Sequence, residues 1–496
     1  MASWNPWLRV VYHRMLGQYE QMITDLHAGK LEFDCECIEI TQRLAENPKV
    51  FRGPGCIKQD SAGVLMFKIY TDTIATNLMT MIAPFHRGLS AAETVVSSLA
   101  GTLVPGDAYY DLRAVDQGGK EWTSARFLPD ARSRMKGRLI ITGSFSSLQR
   151  KKERAYEVAE GEAKIIFYED VEFPPNASTS LVKTIAGEIA EESGSWDTAC
   201  FSSAGFHFRL TKHNGMVYCR VRSESPELPP CIDIRTLEAL QFIFARPLTC
   251  AIIETEEKNV FSISLHSRQP SIGKPLFFPP IKNPDNEIYS LFDSYFRYIL
   301  PTEGQNSHHL SMILWAVLEG SAASLNAKAL SLSVAVEGIL KEELSAIAMD
   351  RNLDKTSYEK LKQMISDGDF PEIFKKRTLN HLEGMMGVRS VDILQSLLKE
   401  GIVEEHLVKA WKKVRNSYAH WKRPGSSPLD DLVSQIDDVT ALFYKLMFHV
   451  IGYRGSFTDY SAKGWPRRKF RPPICTSTQP ITPETPERSE ECDKKT

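Results

Sequence analysis

The chain has 496 residues, length for two to four domains and for a core that needs no disulfide or metal staple. Apolar residues make up 42% and charged residues 25%, and 60 Lys plus Arg against 62 Asp plus Glu leave a net charge of -2. These values exclude a histone-like basic chain and, for most of its length, a disordered one. Nine cysteines, an odd number with no Cys-x2-Cys pair, argue against a secreted disulfide framework and a zinc ribbon.

In chain order, residues 1–30 read as a helix, with Leu8, Val11, Tyr12, Met15, Tyr19 and Met22 at helical spacing. From 31 to 272 short alternating or β-branched runs take over, among them Leu31–Thr41, Val64–Thr71, Arg138–Phe145 and Ala163–Phe173. Cys35 and Cys37 alternate with Asp34 and Glu36, which predicts that both share one sheet face. Arg150–Arg154 reads as an exposed loop or helix end. Phe206–Lys212 and Val217–Arg222 flank Asn214-Gly215, the favoured type I′ hairpin turn. A second hairpin is expected over Leu248–Thr255 and Val260–Leu265, with Glu256 to Asn259 as its loop, and a helix at 233–245 lies between the two.

Pro275, Pro279, Pro280 and Pro284 mark 273–285 as a proline-rich linker. Helices are then predicted at 286–299, 308–322, 326–348, 356–366, 371–386, 390–399, 403–422 and 429–452, a bundle over 286–460. His308-His309 reads as the start of a helix rather than a metal site. The remainder, 461–496, reads as a basic segment and a disordered tail, the tail running from Pro466 to Thr496; Trp465–Arg471 fits nucleic-acid contact or simple docking equally. The fold class is therefore α+β in two domains, a β-rich N-terminal domain followed by an all-α helical bundle. No apolar run approaches the ~18 residues of a membrane span and no signal-peptide core opens the chain, so the expected location is cytoplasmic with no membrane partner.

The most informative stretch is Val414–His420. Val403, Leu407, Trp411, Val414, Tyr418 and Trp421 fall on one stripe about 80° wide, which predicts the buried face of the helix. Arg415, Asn416 and His420 frame the opposite side around small Ala419. Arg415 and His420 are about 140° apart, so one straight helix does not aim both at one small target, whereas two copies facing across a two-fold axis do. Histidine can take a proton from a ribose 2′-hydroxyl, and arginine offers a planar fork of donors to a phosphate. The nucleophile is already part of the RNA, so the chemistry needs positioning more than a metal or cofactor. Asn416, one turn before His420, is a candidate to orient its ring. Among all histidines, only His420 has an arginine five to seven residues before it.

Arg415-Asn416-x3-His420 resembles the signature of the HEPN superfamily, helical-bundle proteins that include dimeric ribonucleases. The layout is similar to the ApeA-like branch of anti-phage proteins, in which a β-rich domain precedes a C-terminal HEPN domain. The run Leu332–Leu340, bearing Glu337, is similar to that branch's glutamate-bearing first long helix. The resemblance implies a HEPN-type fold over about 290–455, Arg415 and His420 as a catalytic pair, and Asn416 as the polar residue after the arginine. It implies a metal-independent endoribonuclease acting on RNA such as tRNA, leaving 2′,3′-cyclic phosphate ends. It further implies a homodimer through the bundle, abortive infection as the role, and a phage-derived trigger at the β-rich domain.

Each assignment has a plainer counterpart. Glu337 either orients Arg415 or His420 or is a half-buried acid paired with any base nearby. Lys409, Lys412, Lys413, Lys422 and Arg423 form the rim of an RNA groove or merely a solvated helix face. For the whole chain the alternatives are a non-catalytic HEPN-like module that dimerises or binds RNA or nucleotide beside a ligand-sensing β-domain, and a sugar- or protein-binding β-domain on a helical scaffold. No Walker-type loop, His-Glu-x2-His helix or Gly-x-Ser-x-Gly elbow is present.

Overall fold

The computed structural model describes residues 21–44, 46–74, 106–133, 138–154, 158, 160–185, 188–213, 215–268, 277–304, 306–347, 355–383, 388–418 and 429–471. Among them the N-terminal half is a fifteen-stranded antiparallel sheet and the C-terminal half is helical, an α+β arrangement. The first helix expected from sequence falls mostly outside the described residues; 21–27 are helical and bury Ile23 and Leu26. No helix among the described residues is long and apolar enough to cross a membrane.

The sheet runs from Ala177–Ile185 at one edge to Pro129–Ser133 at the other, and its two halves meet through a single pairing, Thr123 with Gln149. It serves two cores. One gathers Ile38, Ile40, Ile57, Phe67, Leu112 and Ile141 of the first half; the other joins the second half of the sheet to the helices. The strand Glu162–Phe167 lies between them, sending Ala163, Ile165 and Phe167 into one core and Ile166 into the other. A strand covered on both faces reads as a continuous apolar run rather than an alternation. It stops at Phe167, short of the predicted Phe173. Beyond it Tyr168 and Glu169 are tied to Thr249 by hydrogen bonds of 3.0 and 2.7 Å.

Three local readings are corrected. Cys35 and Cys37 do not share a face: a β-bulge between them shifts the inward phase from Cys35 to Ile38 and Ile40, and leaves Cys37 accepting from Arg52 at 3.0 Å. Arg150–Glu153 is neither loop nor helix end. It belongs to the strand Ser147–Glu153, which pairs along its length with Val260–His266; Arg150 lies half-buried over the Trp122 ring, while Lys151 and Lys152 are exposed. The second hairpin is tighter than expected. Its strands, Cys250–Glu257 and Val260–His266, leave only Lys258 and Asn259 to turn, with Lys258 at φ 51°. The first hairpin is as expected, Phe206–His213 with Met216–Ser223 and Gly215 at φ 75°; Asn214 lies outside the described residues.

The helices are α1 (Ile232–Phe244), α2 (Ile288–Ile299), α3 (His309–Ala323), α4 (Leu325–Glu342), α5 (Lys355–Asp367), α6 (Glu372–Glu383), α7 (Ser390–Lys399), α8 (Glu405–Tyr418) and α9 (Leu429–Val450). Their order follows the predicted elements; α4 ends at Glu342, short of the expected 348, where the chain turns at Glu343 and Leu344. Gly338 lets α3 approach α4, since a Cβ there would meet Ile313 Cδ1 at 3.3 Å. The pair α5–α6 stands apart, with Leu382 as its one buried residue and Met364, Ile373 and Phe374 exposed.

The buried core does not divide at the prolines. Phe201 stacks on Tyr289 of α2 at 4.5 Å and Phe208 meets Phe292 edge-on at 4.9 Å, so the sheet and the helical half share one apolar interior. The described part of the proline-rich segment is packed as well, with Phe277 and Ile281 buried and Phe278 stacked on Tyr460. The reading of Pro466–Thr496 as disordered fails at its start. Arg467–Lys469 pairs with Ser456–Thr458, Phe470 is buried, and Arg467 donates to Asp285 at 2.6 Å. Strand pairing, one apolar anchor and ion pairs from Arg467, Arg468 and Lys469 dock this short stretch; residues 472–496 lie outside the described residues.

Candidate active site in the helical half

Helix α8 forms because its apolar residues recur at helical spacing and Glu405 sits in its first turn, where a negative charge suits the helix dipole. Val403, Leu407, Trp411 and Val414 are all buried, as the stripe requires. The Tyr418 side chain and Trp421 fall outside the described residues. Trp411 fixes the rotation of the helix, since its Nε1 donates to the Ser333 carbonyl of α4 at 3.1 Å.

With that rotation set, Arg415 reaches across to α4. Its Nε donates to Glu337 Oε2 at 2.8 Å and its Nη2 to Oε1 at 3.4 Å, while the guanidinium lies 5.7 Å from the centre of the Trp411 ring. Lys341, one turn along α4, meets Glu337 Oε1 at 2.8 Å. Burial alone would raise the Glu337 carboxyl. The hydrogen bonds from Arg415 and Lys341 outweigh it and hold the group below its ordinary value. Glu337 is therefore a carboxylate that holds Arg415 by its inner edge. Nη1 is not used in that grip, and the Arg415 side chain keeps 35% of its exposure. A guanidinium fixed on one side and open on the other can receive a phosphate without first being reorganised.

The remaining predicted residues divide between seen and unseen. Asn416 is exposed, on the far side of α8 from the buried stripe. Lys413 is exposed and Lys412 half-buried, on the solvent side of the helix; Lys409 is paired with Glu405 at 2.8 Å. His420, Lys422 and Arg423 lie outside the described residues. Sequence reasoning missed Lys341 and the stacking role of Trp411. The first was open to view as the i+4 neighbour of Glu337, and the second as the residue one turn before Arg415.

The basic segment before the tail is occupied elsewhere. Arg467 pairs with Asp285 and Arg468 with Asp459 at 3.1 Å, so this stretch docks on the bundle. Among the described residues one grouping has the side chains to hold a metal: His308, His309 and Glu343, with candidate ligand atoms within 4.8 Å of one another. His308 already caps α3 through Nδ1, which accepts from the Leu310 amide at 3.1 Å, and His309 Nε2 lies 2.8 Å from Glu343. A cation there would face the positive end of α3. The arrangement is that of a helix start with a histidine beside an acid.

Compared with known proteins, the chain matches no family model, no curated protein and no solved structure.

Proposed function

We propose that the protein is a metal-independent endoribonuclease of HEPN type, and that the observation carrying this reading is the Arg415–Glu337 grip. It turns a solvated arginine into an oriented one beside the position from which His420 follows five residues later. In this mechanism His420 removes the proton from a ribose 2′-hydroxyl, the 2′-oxygen attacks the adjacent phosphorus, and the 5′-oxygen leaves. The outer edge of Arg415 meets the charge that gathers on the non-bridging oxygens. Asn416 orients His420, and Lys412, Lys413, Lys422 and Arg423 track the backbone of the RNA.

The second half of the site comes from a second copy. Leu330 and Val334 are 41% and 58% exposed and lie on the same face of α4 as Glu337 and Lys341. Apolar side chains left open next to a charged site suit closure by an identical face, which would bring the Arg415 and His420 of two protomers together. The β-rich half then restrains the nuclease until a trigger, phage-derived in the abortive-infection reading, binds it. The expected setting is the cytoplasm, where RNA such as tRNA is the substrate.

The test is incubation of the full chain with total RNA and tRNA in excess EDTA, beside Arg415→Ala and His420→Ala. The reading expects cleavage by wild type, loss in both variants, unchanged melting of the variants, and intact DNA. Equal cleavage by the variants, or no cleavage and no toxicity on expression in bacteria, would move the assignment to a non-catalytic binding module.

A further inference from the structure

Away from Arg415, two adjoining cavities open where the sheet, α1 and α3 meet. The larger holds about 840 Å³ and the smaller about 450 Å³, and Gln149, Asp233, Ile253 and His266 line both. These four residues mark the junction of one continuous cleft. They come from two neighbouring strands, a hairpin partner and the first turn of α1, so the fold rather than one local segment builds the site.

His266 is the unexplained group in this cleft. Its Nε2 is buried and has no hydrogen-bond partner among the described residues. Burial pushes the ring down to about 4, so at neutral pH it is an uncharged imidazole able to donate or accept. A buried polar atom with no partner costs on the order of what a hydrogen bond returns, and one lining a cavity calls for a ligand. Asp233 stands at the same junction, and burial raises its carboxyl above the ordinary value. Leu237, Met312 and Trp315 supply an apolar wall from α1 and α3, and Met312 is 60% exposed. In the smaller cavity Thr255, Ser262 and Ser264 place hydroxyls.

The charge balance narrows the occupant. Among the described residues no lysine or arginine lines the larger cavity, and its other acid, Glu238, is taken by Arg235 at 2.6 Å; the smaller cavity is lined by one lysine, Lys151, and one further acid, Glu257. A phosphate seated in the larger cavity would meet no counter-charge. A slot between a sheet and two helices, with an apolar wall on one side and a carboxylate, an imidazole and an amide on the other, fits a flat polar ring seen edge-on. We infer that this cleft binds an uncharged nucleobase or nucleoside, with Asp233 accepting N–H groups of the base edge, His266 Nε2 and Gln149 completing the edge contacts, and Trp315 covering the ring. This inference does not rest on the nuclease reading, since the cleft shares no residue with Arg415, Glu337 or Asn416.

The test is titration calorimetry and thermal melting of the full chain with adenosine, guanosine, cytidine, uridine and their 5′-monophosphates. At least one nucleoside is expected to bind saturably with one site per chain and to raise the melting temperature, while its monophosphate binds at least tenfold more weakly. His266→Leu removes an unpartnered polar atom, so it should melt no lower than wild type yet bind at least tenfold more weakly. Asp233→Asn should weaken binding likewise, and Arg415→Ala should not. Absence of binding by all four nucleosides at millimolar concentration would overturn the inference. So would affinity unchanged in both His266→Leu and Asp233→Asn, or affinity lost in Arg415→Ala.

Discussion

Among the arginine–glutamate pairs of the described residues, two differ most in surroundings: Arg235–Glu238 within α1, and Arg415–Glu337 between α8 and α4. Arg235 and Glu238 are 0% and 4% exposed, and Arg235 also donates to the carbonyls of Gly304 and Asn306 at 3.4 and 2.6 Å. Glu238 in turn accepts the His308 amide at 2.9 Å, so the pair clasps α1 to the start of α3. Arg415 and Glu337 are 35% and 23% exposed and leave one edge of the guanidinium open. Burial makes the first pair a structural strut whose partners are all protein. Partial exposure makes the second an oriented group with capacity to spare. Residue identity does not separate the two; the side from which water is excluded does.

The largest effect expected on breaking this comparison is on stability at the buried pair. Arg235→Ala leaves Glu238 as an unpaired buried acid and should cost about 3–5 kcal/mol in urea denaturation, whereas Arg415→Ala should cost less than about 1 kcal/mol. A reversal of that order would remove the distinction between strut and working group. Cleavage is expected to divide the other way. Arg415→Ala should lower kcat by roughly 10²–10³-fold, the usual consequence of losing a preorganised donor to a developing anion. Glu337→Gln, which loosens the grip but keeps the guanidinium, should lose less.

Acid sharpens the comparison through His266. Its folded value of about 4 lies below the roughly 6.5 of an unfolded histidine, so the unfolded chain takes up the proton first. The stability linked to this ring is therefore complete above about pH 6.5 and lost as pH falls toward 4, by at most about 3 kcal/mol. Subtracting the melting profile of His266→Leu from that of wild type isolates this term from Asp233 and the other acids nearby. Glu337 has the same sign: its depressed value means stability present above the ordinary carboxylate range and lost on acidification. The smallest effect belongs to Lys341→Ala. This exposed i,i+4 partner should cost about 0.3–0.5 kcal/mol and leave cleavage within a few-fold of wild type.

Much of the helical half was legible in sequence because helical periodicity and its breakers are local. The stripe from Val403 to Val414 placed Trp411 inward and Arg415 beside it, and an acid on the otherwise apolar run around Glu337 pointed to a basic partner. The sheet was less legible, since its details depend on partners distant in sequence. The bulge that turns Cys37 away from Cys35 is set by pairing with Val115 and Ala114, and Arg150–Glu153 becomes strand only because Val260–Ile263 completes its ladder. The shared core was hidden by the prolines, which punctuate the backbone without separating the interior. The cleft had no sequence signature at all. Gln149, Asp233, His266 and Trp315 lie far apart along the chain, and only the orphaned imidazole nitrogen singles them out.

The central claim is 2′-hydroxyl chemistry carried by Arg415 and His420, and end-group mapping on one defined RNA tests it most directly. Wild type should produce 2′,3′-cyclic phosphate and 5′-hydroxyl ends in EDTA, lose cleavage when the ribose at the cut carries a single 2′-deoxy substitution, and lose it again in His420→Ala. Ends bearing 3′-hydroxyl groups, or undiminished cutting at the 2′-deoxy position, would contradict the account.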